Sequence, residues 1–171
     1  MKYAVISDIH SNLEALNKAL EKLGSLETDK IICLGDIVGY GANPNECVDI
    51  IRESNIIALR GNHDNAASGL EEPYNFNPAA RRAALWTRAK LTEANRSYLA
   101  GLPEEREFEN FLAVHGAPSD PDRYILSDWD AEEELCMLGG RTICFFGHTH
   151  IAVIYRMRNH HVDTVETKSF V

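Results

Sequence analysis

One recurring feature constrains this chain more than any other: short apolar runs that stop abruptly at polar residues of one kind. Tyr3 to Ile6 leads into Asp8 and His10, and Ile31 to Leu34 into Gly35-Asp36. Ile56 to Leu59 leads into Gly61-Asn62-His63-Asp64, Phe111 to Val114 into His115-Gly116, and Phe145-Phe146 into Gly147-His148-Thr149-His150. Runs of this length and residue type read as buried strands. A polar group just past the carboxyl end of a strand lies at the edge where α/β sheets place their ligands. Five such blocks predict one sheet rim on which acids, imidazoles and an amide converge.

The segments between the runs are helical in pattern. Ser11-Asn12-Leu13-Glu14 has capping-box spacing, and Leu13, Leu16, Leu20 and Leu23 share one helical face that stops near Gly24. Asn43 is placed to cap a second helix, with Pro44 in its first turn and Glu46 closing the box. Strands alternating with helices give an α/β domain whose first half carries a largely parallel sheet. Ala66 to Tyr74 reads as loop. A helix starts at Asn77-Pro78 and runs to about Leu91, and Thr92 caps another that ends at Gly101. Asp130 with Glu133 is expected to cap a short helix ending at Gly139-Gly140, followed by strands over Thr142 to Phe146 and Ala152 to Arg158. No repeat or linker divides the 171 residues, so the expectation is one domain over 1–171, with a helical segment at about 66–107 roofing the site.

Composition excludes more than it proves. No apolar run approaches the ~20 residues that span a bilayer, and the short N-terminal run reads as a strand and not a signal peptide. Cys33, Cys47, Cys136 and Cys144 form no C-x-x-C pair, and Cys33 and Cys144 lie in apolar runs, as buried thiols in a reducing compartment would. The expected location is cytoplasmic, with no membrane partner. A formal charge of -9 argues against binding duplex nucleic acid. It does not argue against a phosphate ester, because cations held by the acids would invert the local field.

Taken singly, each block is an ordinary turn, and a lone histidine is usually a satisfied buried one. Taken together at successive strand ends, they describe a metal centre. Asp8 and His10, two apart, can share one cation if the backbone there is extended. Mixed carboxylate and imidazole donors suit Mn²⁺, Fe, Zn²⁺ or Ni²⁺ over Mg²⁺ or Ca²⁺.

These blocks resemble those of the calcineurin-like metallophosphoesterases: Asp-x-His, Gly-Asp, Gly-Asn-His-Asp, His and Gly-His-x-His, all present in order from residue 8 to residue 150. Ser7-Asp8-Ile9-His10-Ser11-Asn12-Leu13-Glu14 and Gly35-Asp36-Ile37-Val38-Gly39-Tyr40-Gly41 are most similar to the small prokaryotic phosphodiesterase and phosphatase branch. The resemblance implies two facing mixed sheets flanked by helices, an αββα sandwich. It implies two divalent transition metal ions, Mn²⁺ favoured. Asp8, His10 and His150 would hold the first, Asn62, His115 and His148 the second, and Asp36 would bridge them. It further implies hydrolysis of a phosphomonoester or phosphodiester, a small molecule or nucleotide, by water activated between cations ~3.5–4 Å apart. His63 would protonate the leaving oxygen, with Asp64 either orienting it from behind or only capping the following turn.

Other residues are weaker candidates. Tyr40 and Asn43 could line the pocket. Arg81, Arg82, Trp86 and Arg88 could meet phosphate, though a solvated helix with an apolar underside is the preferred reading. His160 and His161 are expected at the surface. Members of the branch run further past Gly-His-x-His, through an Asn-Pro-Gly-Ser turn that this chain does not have. The second sheet is therefore expected to be short at its C-terminal end, leaving an edge open to another chain and to oligomerisation. A non-catalytic metal- or nucleotide-binding module is the alternative function.

Overall fold

The structure, a computed structural model, describes residues 1–159 and 161–165. Three strands, β1 (Tyr3–Ile6), β2 (Lys30–Cys33) and β3 (Ile57–Ala58), form a parallel sheet in that order. The crossovers are α1 (Leu13–Gly24) and α2 (Pro44–Glu53). Then come α3 (Asn62–Ser68), α4 (Pro78–Lys90) and α5 (Glu93–Ala100). The second sheet is mixed: β4 (Glu105–Glu107) pairs antiparallel with β5 (Leu112–Val114), which pairs parallel with β6 (Cys144–Phe145). Helix α6 (Asp128–Cys136) precedes β6, and β7 (Ile154–Arg158) and β8 (His161–Val165) form an antiparallel hairpin of their own.

The two-residue period of the strands builds the layers. In the first sheet Tyr3, Val5, Ile32, Leu34, Ile57 and Leu59 point one way and meet Phe108, Phe111, Ala113 and Phe145 of the second. Tyr3, Phe111 and Phe145 close that seam edge to face, each step 5.2 Å between ring centroids. The alternate set, Ile6, Ile31, Cys33 and Ala58, faces Leu16, Val48, Ile51 and Leu99 of the helices. Across the second sheet, Leu112, Val114, Cys144 and Phe146 pack on Leu135 and Leu138 at α6. The layers are thus helix, sheet, sheet, helix, the expected α/β sandwich. The first sheet is wholly parallel, so the mixed pairing expected of both belongs to the second.

Several local expectations are corrected. Asn12, not Ser11, caps α1, its Oδ1 accepting from Ala15 N–H at 3.0 Å. Asn43 stands at the cap of α2, yet its side chain makes no capping bond. The last helix starts earlier than expected: Ser127 is its cap and Asp130 closes the box onto Leu126 N–H and Ser127 Oγ. The largest correction is α3, since residues expected to be a turn and loop form a helix ending at Gly69 in the left-handed conformation. Strands β4 and β8 were not expected. His161 is exposed on β8, whereas His160 lies outside the described residues.

In the roofing segment, Arg88 donates to Ala66 O, Glu71 O and Glu72, and Arg81 lies over Tyr74. Arg88 thereby fastens α4 to the chain after α3, while Trp86 is exposed with Lys90 over its ring. Among the described residues the second sheet has three strands. An apolar cavity of ≈ 360 Å³, away from the strand-end residues, is lined by residues of α6, β6 and β7. No helix among the described residues is long and apolar enough to cross a membrane.

Candidate metal centre

Every strand-end residue singled out in the sequence reaches one rim between the two sheets. The backbone that brings them there is not extended. Asp8, His10, Ser11, Asp36, Tyr40, His148 and His150 all have φ between 50° and 65°. Left-handed backbone is costly for a residue with a Cβ and concentrates where function needs it. Asp8 and His10 therefore converge through tight left-handed turns, and not through the alternation of a strand. His148 and His150 part company: His150 joins Asp8 and His10, and His148 joins Asp36 and His115.

Close approach of the loops is what the glycines permit. A Cβ on Gly61 would stand 2.2 Å from Asp36 Oδ1, and one on Gly147 would stand 2.1 Å from Ser7 Oγ. Asp36, 1% exposed, accepts from His63 N–H through Oδ1 at 2.9 Å, leaving Oδ2 toward the rim. That oxygen is 3.6 Å from His10 Nε2 and 3.5 Å from His115 Nε2, midway between the two groups.

The hydrogen bonds behind the imidazoles fix which nitrogen faces inward. His10 Nδ1 meets Val38 O at 3.0 Å, His115 Nδ1 meets Leu34 O at 2.9 Å, and His148 Nε2 meets Asp122 O at 3.1 Å. A carbonyl only accepts, so each of these nitrogens carries the proton, and the opposite nitrogen of the neutral ring presents a lone pair. Those lone pairs point at other acceptors. His115 Nε2 is 3.2 Å from His148 Nδ1 and 3.3 Å from Asn62 Oδ1. On the other side, His10 Nε2 is 3.0 Å from His150 Nε2, which is 3.2 Å from Asp8 Oδ1.

His150 has no carbonyl behind its ring among the described residues and can offer an Nε2 proton to His10 or Asp8. The atoms of buried His115 and His148 and of Asn62 are instead acceptors turned on one another, and they call for positive charge. Without a metal a proton must supply it: burial opposes the charged form of His115, but Asp36 draws its pKa up to about 9. Burial would raise Asp36, yet His115, His63 and His10 together hold it below the usual carboxylate range. Two divalent cations fit this donor set, with the outer hydrogen bonds orienting each imidazole.

His63 differs from the other rim histidines. Burial pushes it down to about 4, although Asp36 pulls the other way. Its Nδ1 is buried with no hydrogen-bond partner, and its ring meets His10, Tyr40 and Phe76 at 4.9, 4.6 and 4.7 Å between centroids. His10, Asp36 and His63 also converge within ligand reach of one another, so distance alone does not set His63 apart.

Asp64 does not back the His63 ring. Its carboxylate accepts from Gly61, Val38 and Ile37 N–H at 3.0, 3.1 and 3.3 Å, because the first turn of α3 folds it back over its cap. It ties the loop after β2 to the loop after β3, and burial, then the Asp36 charge, push it up to about 7.

Phe76, Tyr124 and Asp122 were missed in the sequence. Tyr124 lies on the His148 ring at 3.9 Å, and Phe76 brings the roofing segment onto His63. The sole signal for Phe76 and Tyr124 was an aromatic residue in a polar loop, and Asp122, which acts through its backbone carbonyl, gave none.

A sandwich of this layering with a strand-end rim of paired acceptor clusters defines a metallophosphoesterase-type fold and site. Comparison with known proteins agrees: the calcineurin-like phosphoesterase model matches residues 1–152, and the chain belongs to that family. It is 41% identical over 157 residues to an uncharacterised protein of Methanocaldococcus jannaschii, MJ0912, covering 88% of this chain and 63% of the relative. A metallophosphoesterase from Sphaerobacter thermophilus superposes with a TM-score of 0.79 at 37% identity, covering 95% of this chain and 68% of that one. Protein PH1004 of Pyrococcus horikoshii OT3 superposes with a TM-score of 0.82 at 23% identity, covering 95% and 74%, a likeness of fold alone.

Proposed function

We propose that this chain hydrolyses a phosphate ester with two divalent transition metal ions, Mn²⁺ in the first instance, held by Asp8, His10 and His150 and by Asn62, His115 and His148, with Asp36 shared. The observation that carries the reading is the convergence of imidazoles pinned from behind by carbonyls, the lone pairs of His115 and His148 turned on each other and that of His115 on Asn62 Oδ1, around the shared Asp36 carboxylate. When bound, the cations supply Lewis acidity and electrostatic stabilisation of an in-line displacement.

The chain's own groups do the rest. Asp36 offers Oδ2 to both clusters while the His63 amide holds Oδ1. Asn62 contributes a neutral oxygen and so leaves the centre more cationic toward phosphate. His63, its ring packed against Tyr40 and Phe76 and held neutral by burial, is placed to hydrogen-bond the leaving oxygen and to give it an imidazole N–H proton as negative charge develops there. Asp64 is a positioning residue, fixing the two loops that carry Asp36 and His63. The substrate is a small molecule or nucleotide and not duplex nucleic acid, and the free cysteines suit a cytoplasmic setting.

Hydrolysis of a chromogenic phosphodiester and monoester, with the metal-free protein and after adding Mn²⁺, tests this. Metal-dependent turnover supports the hydrolase. Stoichiometric metal without turnover of any ester would favour a metal- or nucleotide-binding module instead.

A further inference from the structure

The apolar cavity of ≈ 360 Å³ is lined by none of the strand-end residues of the metal centre. Its walls have a pattern. From α6 come Ala131, Glu134, Leu135 and Leu138, the i, i+3, i+4, i+7 face of a helix. From the strands come unbroken runs, residues 142–146 around β6 and residues 153–156 at the start of β7. A space against the face of a strand touches every second residue, because side chains alternate. A space that touches each residue in turn lies at the strand's edge, where backbone N–H and C=O groups point.

Both edges are open among the described residues. β6 pairs only with β5, no residue of which lines the cavity, and β7 pairs only with β8, no residue of which lines it. Free edges of two sheets therefore border one apolar slot, with α6 as its floor. Phe146 and Tyr155 meet on that floor, ring centroids 6.3 Å apart. By alternation Ile143 and Ile154 lie on the other side, 46% and 52% exposed. The far edge of the second sheet is built differently. There β4 carries exposed Glu105, Arg106 and Glu107, the kind of charge that discourages an incoming strand. Residues 142–146 carry none. The two charged groups at the slot, Glu134 and Arg156, are already paired with Arg123 and Asp163, so its occupant needs no charge.

We propose that this slot docks a partner protein, taking an extended, uncharged segment of about five residues as an added strand that joins β6 to β7. The segment pairs its backbone with both edges. Apolar side chains at every second position face Leu135, Leu138 and Phe146 on the floor. The alternate positions lie between Ile143 and Ile154, where threonine fits, its methyl on the isoleucines and its hydroxyl in water. Main-chain bonds on two sides give affinity, and the one-sided apolar floor sets the register. This surface stands apart from the metal centre and does not depend on the hydrolase reading.

The probe is a fluorescein-labelled peptide of alternating valine and threonine, titrated with the full chain and followed by anisotropy. Two N-methylated copies keep every side chain but lose the amide donors of the odd or the even positions, and so lose one edge each. The parent peptide is expected to bind and each methylated copy to bind about tenfold more weakly or worse. Ile143→Lys and Ile154→Lys, at exposed positions, are expected to weaken the parent peptide about tenfold with an unchanged midpoint in urea. Amide exchange in the complex should slow at residues 142–146 and 153–156 together. No binding to wild type overturns the proposal. Binding that survives either methylated peptide also overturns it, leaving a groove for apolar side chains alone. Slowed exchange in one run only rules out the two-edged slot. A dimer of the unliganded protein that Ile143→Lys abolishes would put a second copy in the slot and overturn a separate partner. The methylated peptides are tested on wild type, so the decision does not rest on the folding of a variant.

Discussion

His63 and Asp36 illustrate how differently two neighbours on one rim are used. Asp36 is held by two opposed demands, an amide on one oxygen and two imidazoles around the other. Asp36→Asn keeps the shape and removes the charge, and the expected outcome is metal content falling from two per chain to one or none, measured by elemental analysis. His63→Ala should leave metal content near two while lowering turnover by roughly 10²–10⁴-fold, the range of a lost general acid. Unchanged turnover would remove His63 from the mechanism. Gly61→Ala drives a methyl onto Asp36 Oδ1, and overpacking of that kind costs about 1–3 kcal/mol, readable as a lowered midpoint in urea. The strand-end positions were legible because each ends an apolar run, which a sequence displays. The left-handed turns that aim them were not, since nothing in Asp8, His10 or His148 spells a positive φ. Nor was the true task of Asp64, which depends on amides of a distant loop.

Helix α3 shows what a sequence hides at the scale of an element. Its residues are Asn, His, Asp, Asn, Ala, Ala and Ser, five of the seven buried, so no apolar stripe marks it. Short strands such as β4, all of it exposed and charged, escape for the same reason. The α6 region carries a second such surprise. Glu134, 3% exposed, accepts from Ser119 N–H and Oγ at 2.9 and 2.6 Å and pairs with Arg123 at 3.0 Å. That fastens the loop whose Asp122 carbonyl and Tyr124 ring hold His148. Glu134→Ala removes the buried carboxylate that holds Ser119 and Arg123 and is expected to cost about 0.5–1.5 kcal/mol and to weaken the second metal more than the first, seen as a split in a calorimetric titration. The same end of the molecule should loosen first in acid. Ser127 Oγ and Leu126 N–H hold Asp130, and Arg123 holds Glu133, below their ordinary pKa values. A carboxylate depressed in the folded state contributes stability that is present above its ordinary value of about 4 and is lost as pH falls through its folded value. Faster amide exchange at α6 than at α2 below pH 4 is the expected sign.

At the scale of the whole molecule, layer order follows from alternation and was legible: Ile32 and Leu34 face one partner, Ile31 and Cys33 the other. Ile32, fully buried between the sheets, is the natural place to test that packing, and Ile32→Ala should cost about 2–5 kcal/mol. In the proposed reading the net charge of -9 is reconciled with an anionic substrate by the same architecture, since Asp8 and Asp36 would be committed to cations. What the sequence left open was the pairing of its last strands. The β7–β8 hairpin packs on α6 through Val162, Tyr155 and Met157 and does not extend the second sheet among the described residues. The chain also spans 63% of the length of its Methanocaldococcus relative.

The central claim is that two acceptor clusters sharing Asp36 hold two cations. It is tested most directly by titrating metal-free, folded protein with Mn²⁺ and counting the ions retained per chain after dialysis. Two per chain is the result predicted. One ion, or none in protein shown to be folded, would contradict the account.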